Sequence, residues 1–220
     1  MARIARGGTP AGRRAGGSTV PDRLLAAASR LFAQRGFEST SVQDVVEAAG
    51  VTKGAMYHYF RSKDDLLHEI YRRLLTMQTQ RLADFAAAEG PLPERLFAAA
   101  SDVVQTSIAN LDDSVIFFRS MHLLTNEHQT RVRAERRRYH ELFRSLIEEG
   151  QRSGAFRDDI PAGIVTIHYF GSVHQLGTWY RPDGKMTPRE LGEYYATLLL
   201  AGLRPEPGAA GTAGRESDGA

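Results

Sequence analysis

Between residues 21 and 203 the apolar positions recur at spacings of three and four, which places them on one face of an α-helix. No stretch alternates apolar and polar residues over a strand's length. The first helix is expected to start near Pro21, a residue suited to a first turn, to carry Leu24, Leu25, Ala28, Leu31 and Phe32 on one face, and to stop at Gly36. A second runs from Ser41 to about Ala49; Ser41 and Asp44 have capping-box spacing, and Val42, Val45 and Val46 face inward. Gly50-Val51 makes a turn, and Thr52 caps a short third helix through Phe60. Ser62 and Asp65 cap a long fourth helix through Leu67, Ile70, Leu74, Met77 and Phe85. Further helices are expected at 92–109, 112–124, 128–151, 160–180 and 187–203, separated by Gly and Pro breaks at Gly90-Pro91, Gly150, Gly154, Pro161 and Pro182-Asp183-Gly184. The expected class is all-α, with about nine helices.

Composition narrows the function. Hydrophobic residues are 42% and charged residues 25% of 220, a globular balance that argues against wholesale disorder. There is no cysteine, which rules out disulfides and cysteine-based metal sites or nucleophiles. Apolar stretches break well short of the roughly 18 residues a membrane span needs, and the first residues hold no apolar core of the signal-peptide type. A soluble cytoplasmic protein without membrane association is expected.

The net charge of +2 conceals an asymmetry. Residues 1–63 hold ten Lys/Arg against four Asp/Glu, whereas the remainder holds eighteen against twenty-two. A basic first third on a mildly acidic body points to a polyanion bound at one end, although chance could produce the same imbalance. Residues 1–20 contain Arg3, Arg6, Arg13 and Arg14 with no acid or apolar period, so they are expected to form a flexible arm. Residues 205–220, rich in Gly, Ala and Pro, are expected to be a disordered tail.

Two short helices joined by a Gly-centred turn behind a longer helix form a helix-turn-helix. Its second helix must fit the DNA major groove, where each base pair presents a distinct set of donors and acceptors. In Thr52-Lys53-Gly54-Ala55-Met56-Tyr57-His58-Tyr59-Phe60, Met56 and Phe60 are four apart and can anchor the helix, which leaves Lys53, Tyr57, His58 and Tyr59 outward. Gly54 costs helix propensity, about 1 kcal/mol against Ala, but permits close approach to DNA.

From Arg23 to Leu67 the sequence LLAAASRLFAQRGFESTSVQDVVEAAGVTKGAMYHYFRSKDDLL resembles the DNA-binding domain of TetR-type regulators, most specifically in Gly50-Val51 through Tyr57, Phe60 and Lys63. The resemblance implies a three-helix DNA-binding domain at 21–65 and a helical ligand-binding and dimerisation domain at 66–204. It implies that Thr40 or Ser41 bonds a phosphate at the start of the second helix. Thr52, Lys53 and Gly54 would then meet DNA at the front of the recognition helix, Tyr57 and His58 would touch phosphate or thymine methyls, and Lys63 would pair with a phosphate. Lys53 is the residue expected to reach a base edge, because Lys can donate to guanine O6 and N7. The arm would add phosphate affinity, enter the minor groove, or hang free.

In the body, the 160–180 segment is apolar on nearly all sides, more than one core face requires. With the last helix it is expected to bury against a two-fold mate through Ile164, His168, Val173, Leu176, Trp179, Leu191, Tyr195 and Leu198, with Gly171 and Gly177 allowing close approach. The other reading makes it a central helix of one protomer. Met77, Phe85, Val104, Ile108, Phe117, Phe118, Met121, His122, Tyr139, Phe143 and Tyr169 are candidates to line an apolar cavity, or are simply core. Residues 179–187 (Trp-Tyr-Arg-Pro-Asp-Gly-Lys-Met-Thr) and the helix after them resemble TetR-type regulators of fatty-acid and steroid-ring catabolism, which implies an acyl-CoA effector. The run Arg131, Arg133, Arg136, Arg137, Arg138 would suit CoA phosphates, or form an ion-pair face.

The function expected is a ligand-responsive regulator, most simply a repressor, that holds a near-palindromic operator as a homodimer and is released by a small hydrophobic effector. No cofactor, metal site or catalytic residue is expected. HExxH, Gly-rich phosphate-loop and G-x-S-x-G motifs are missing, and His168 and His174 are too far round a helix to share a metal. The rival readings are a non-specific DNA-binding or adaptor protein without effector control, and an activator.

Overall fold

The computed structural model describes residues 19–205, apart from the Phe118 side chain. Among these residues there are ten α-helices, one 3-10 turn and no strand. The first three are α1 (Val20–Arg35), α2 (Val42–Ala49) and α3 (Lys53–Tyr59), followed by the long α4 (Lys63–Ala87). The body adds α5 (Leu92–Ala109), α6 (Leu111–Ser120), the 3-10 turn (Met121–Leu123), α7 (Asn126–Arg152), α8 (Ala162–His174), α9 (Leu176–Trp179) and α10 (Pro188–Gly202). The arm at 1–20, except Thr19 and Val20, and the tail at 205–220, except Pro205, lie outside the described residues.

Short polar side chains set the helix starts. Thr19, Ser41, Thr52, Ser62, Thr125 and Thr187 each accept a backbone N–H from the first turn of the helix that follows. The Ser41–Asp44 and Thr187–Glu190 caps are reciprocal, so two orphan donors are satisfied at each. Gly50 ends α2 at φ 62°, a left-handed conformation that a side chain would strain.

Two cores result. One joins α1–α3 to the first half of α4 (Leu66, Leu67, Ile70, Tyr71, Leu75) and extends to Ile116 and Phe117 of α6. The other is built from α5, α7, α8 and α10 around Phe143, Leu146, Tyr169 and Phe170. The core of the DNA-binding unit therefore continues past residue 65, and α6 is part of it.

Two helix expectations are corrected. The segment expected at 112–124 leaves α-geometry at Met121. The single helix expected at 160–180 is two, α8 and α9, with a turn at Gln175. The turn carries α9 against α6, where a Cβ on Gly177 would lie 2.5 Å from Val115 Cγ2. Gly177 thus serves a contact inside the protomer. Gly171 has open space where its Cβ would be.

Candidate functional site

The recognition helix α3 is fixed from behind. Met56 is fully buried and Phe60 nearly so, both in the core shared with α1 and α4. The turn before it is clamped by Arg23 of α1, whose guanidinium donates to Ala49 O (3.0 and 2.6 Å) and Gly50 O (2.6 Å). The sequence reading did not single out Arg23, since nothing local marks an arginine on a helix face as a clamp.

Apart from the Thr52 hydroxyl, which caps the helix, the front of α3 has no such duties. Thr52, Lys53, Gly54, Tyr57, His58 and Tyr59 are all exposed, with Tyr57 at 52% and Tyr59 at 50%, high values for aromatic residues. Lys53 has no hydrogen bond or ion pair among the described residues, and His58 and Tyr59 meet edge to face at 4.8 Å. A Cβ on Gly54 would meet only Thr52 Oγ1, at an ordinary 3.9 Å. Internal packing therefore does not require glycine here.

Three of the residues expected to contact phosphate have partners inside the protein. Thr40 is 1% exposed and its hydroxyl donates to Gly36 O at 2.8 Å, a bond internal to the head. Ser41 is exposed, and Asp44 accepts both its backbone N–H (2.8 Å) and its hydroxyl in the capping box of α2. Lys63 ties the α1–α2 loop to α4, because its Nζ donates to Phe37 O (2.6 Å) and Thr40 O (2.8 Å) and lies 4.4 Å from the centre of the Phe37 ring. Burial holds its pKa below the usual lysine value. Lys63 is a staple within the head.

In the body, a cavity of about 50 Å³ lies between α4, α5, α6, α7, α8 and α9. Of the eleven residues expected to line it, Phe117 and Tyr139 do. Val104, Phe143 and Tyr169 point into the core of the body, Phe85 packs against that core, and Met121 packs against the other one. Met77 and Ile108 line a separate open groove beside α1, and His122 is exposed on the 3-10 turn. The Phe118 side chain lies outside the described residues. Helical spacing identified these residues as inward-facing; which inward residues border a gap depends on how neighbouring helices fail to meet.

At one side the cavity reaches Arg136, His140, Phe170 and His174, and the same four residues line an open groove between α7 and α8. Arg133, Arg137 and Arg144 complete the basic side of this groove, against one acid, Glu141. Of the arginine run, Arg131 instead pairs with Glu127 (2.6 Å), and Arg138 lies outside the groove. Burial lowers the pKa of His140 to about 4 and of His174 to about 3, with Arg136 acting the same way on both. Both imidazoles are neutral at pH 7.

The first turn of α4 is tied to the first turn of α7. Asp64 accepts from Thr125 N–H (2.9 Å) and bonds the His128 ring, on which His68 stacks with centroids 4.0 Å apart. Asp64, Asp65 and His128 bring ligand atoms within 4.8 Å of one another, but the Asp64 carboxylate is already taken up by this tie.

Of the expected dimer residues, Ile164, His168, Trp179 and Leu198 are exposed and Tyr195 is half-buried. Val173, Leu176 and Leu191 are corrections: each is at most 4% exposed, packed in the protomer's own core, with no surface to offer a mate. Ile167 (67% exposed) and Tyr194 (56%) of the same two helices are exposed as well.

A short helix held from behind, with its lysine and aromatic side chains left exposed in front, on a body with its own cavity, is the construction of a helix-turn-helix DNA-binding regulator. Residues 24–70 match the model for bacterial regulatory proteins of the tetR family, and residues 89–203 that for the tetracyclin repressor-like C-terminal domain. The chain belongs to the TetR family of transcriptional regulators and is not an enzyme. It is 31% identical over 199 residues to the HTH-type transcriptional repressor KstR2 of Rhodococcus jostii, covering 88% of this chain and 96% of that one. The crystal structure of PfmR from Thermus thermophilus superposes with a TM-score of 0.77 at 29% identity, covering 84% of this chain and all of the other. AibR in complex with isovaleryl coenzyme A and operator DNA shares the fold, with a TM-score of 0.74 at 21% identity over 83% of this chain and 98% of AibR. No helix among the described residues is long and apolar enough to cross a membrane.

Proposed function

We propose that the chain is a cytoplasmic homodimeric repressor that grips a near-palindromic operator through residues 21–65 and releases it when an acyl-CoA thioester binds the body, residues 66–204. On this reading Lys53 contacts a base edge, while Thr52, Gly54, Tyr57, His58 and Tyr59 settle α3 in the major groove. The mate covers Ile164, Ile167 and His168 of α8 and Tyr194 and Leu198 of α10. These stripes lie opposite each helix's buried face, and the Tyr195 hydroxyl bridges the two helices by donating to Ser172 O. Apolar stripes without partners mark an interface.

The acyl group enters the cavity and the nucleotide phosphates lie along Arg133, Arg136, Arg137 and Arg144, which suit multiple anions. Neutral His140, where cavity meets groove, offers an N–H to a thioester carbonyl. The isovaleryl coenzyme A bound by AibR, on the same fold, supports this class of effector.

The observation that carries effector control is that α6 serves both ends. Leu111, Ser114, Val115 and Phe117 of α6 wall the cavity, while Ile116 and Phe117 belong to the head's core and Asp113 bonds Ser29 of α1. A cavity of this size holds a few water molecules, so an acyl group binds only a state in which the walls have moved. That differential affinity biases the head through α6. The experiment is fluorescence anisotropy of a selected operator, titrated with protein and then with straight and branched acyl-CoAs. Release by thioesters is expected; tight thioester binding that leaves operator affinity unchanged would overturn the coupling.

A further inference from the structure

We infer that the group entering the cavity carries a neutral oxygen, a ketone or a hydroxyl, that accepts a hydrogen bond from Tyr139. This rests on the cavity being the effector site. Tyr139 is 4% exposed and lines the cavity, yet its hydroxyl has no hydrogen-bond partner among the described residues. The other buried tyrosines behave differently: Tyr71 donates to Ile116 O, Tyr169 to Ala100 O and Tyr180 to Met186 O. A buried polar group without a partner is costly and calls for an explanation.

Packing does not supply one. The Tyr139 ring meets Phe170 edge to face at 5.2 Å, a contact that phenylalanine would make equally well. Nor do the polar neighbours in the cavity wall, since the Gln78 amide donates to the Ser107 hydroxyl, which donates in turn to Val103 O. The chemistry also selects the kind of oxygen. Burial pushes the Tyr139 pKa far above the usual phenol value, and the Asp102 carboxylate acts in the same direction. The hydroxyl is therefore a permanent donor in surroundings that disfavour a second anion, so a neutral acceptor fits and a carboxylate does not.

The test compares wild-type protein with Tyr139→Phe, using pairs of acyl-CoA thioesters that share a carbon skeleton and differ by one ketone or hydroxyl on the acyl group. Operator-release midpoints are read by fluorescence anisotropy. The wild type is expected to favour the oxygenated member by about tenfold or more, whereas Tyr139→Phe keeps the midpoint of the plain member and loses the preference. The melting temperature of Tyr139→Phe should equal or exceed that of the wild type, because only an unpartnered hydroxyl is removed; a fall of several degrees would reveal an internal partner and overturn the inference. So would a wild type without preference, or a preference surviving in the variant, either of which leaves the thioester reading standing. The matching free ketones, alcohols and hydrocarbons, followed by thermal shift, separate the two ideas. A Tyr139-dependent preference among these without response to any thioester overturns the CoA reading alone, and binding by neither series overturns both.

Discussion

The recognition helix and the cavity of the body solve opposite problems. The front of α3 works by keeping side chains free: Lys53 and Gly54 have no duty inside the protein, and Tyr57 and Tyr59 are half exposed. The cavity lies inside the helix packing, and many residues around it also hold the fold together, Phe117 being core of the head and wall of the cavity at once. Function at the first site is separable from stability; at the second it is not. A substitution on α3 should therefore change binding and spare folding, while one around the cavity should change both.

The largest effect expected is from Phe117→Ala, which should cost about 3–5 kcal/mol of stability in urea unfolding and weaken the operator response together with it. A loss under 1 kcal/mol would mean that α6 does not join the two cores. Next in size, Lys53→Ala should lower specific operator affinity by about 1–3 kcal/mol while shifting stability by no more than about 0.5 kcal/mol. Gel-shift titration against specific and random duplexes, paired with a melt, checks both. Lys63→Ala should show the reverse, a stability loss of about 1–2 kcal/mol from the lost bonds to Phe37 and Thr40, with a salt dependence of binding that still matches the wild type. A salt slope flatter by about one ion would restore Lys63 to the phosphate contacts.

Gly54→Ala sharpens the contrast further. It should raise the melting temperature, since alanine is favoured by up to about 1 kcal/mol in a helix and the protein has room for the methyl, yet weaken operator binding. Unimpaired binding would remove the close approach from the account. The smallest effect concerns pH. His140 and His174 titrate in the folded protein near 4 and 3, below the 6.5 usual for an exposed histidine, so the unfolded chain binds protons first as pH falls. Their contribution is complete above pH 6.5 and declines from there toward pH 4 and 3. The urea midpoint of His140→Leu should fall less steeply than that of the wild type across pH 6.5 to 4; parallel profiles would place the imidazole in water.

The helix-turn-helix was legible because its determinants are local. A cap, a turn glycine and two apolar residues four apart are statements about neighbours in sequence, and the caps at Ser41, Thr52 and Ser62 stand as read. The internal bonds of Lys63 were not legible, because a lysine heading a helix looks the same whether its ammonium meets a phosphate or a carbonyl 26 residues away. Arg23 was missed for the same reason. In the body, periodicity marked inward faces, but only the paths of α6 and α9 decide that Phe117 and Tyr139 border a gap while Val104 and Phe143 do not.

By itself, then, the amino-acid order determined the helices, their caps, the outward face of α3 and the family likeness, because each depends on contacts within a turn or two of chain. The tertiary structure decided where Lys63 and Arg23 donate, which apolar residues stay exposed instead of entering the core, and that the Tyr139 hydroxyl lacks a partner among the described residues. Those outcomes are set by groups tens of residues apart, brought together only when the helices pack.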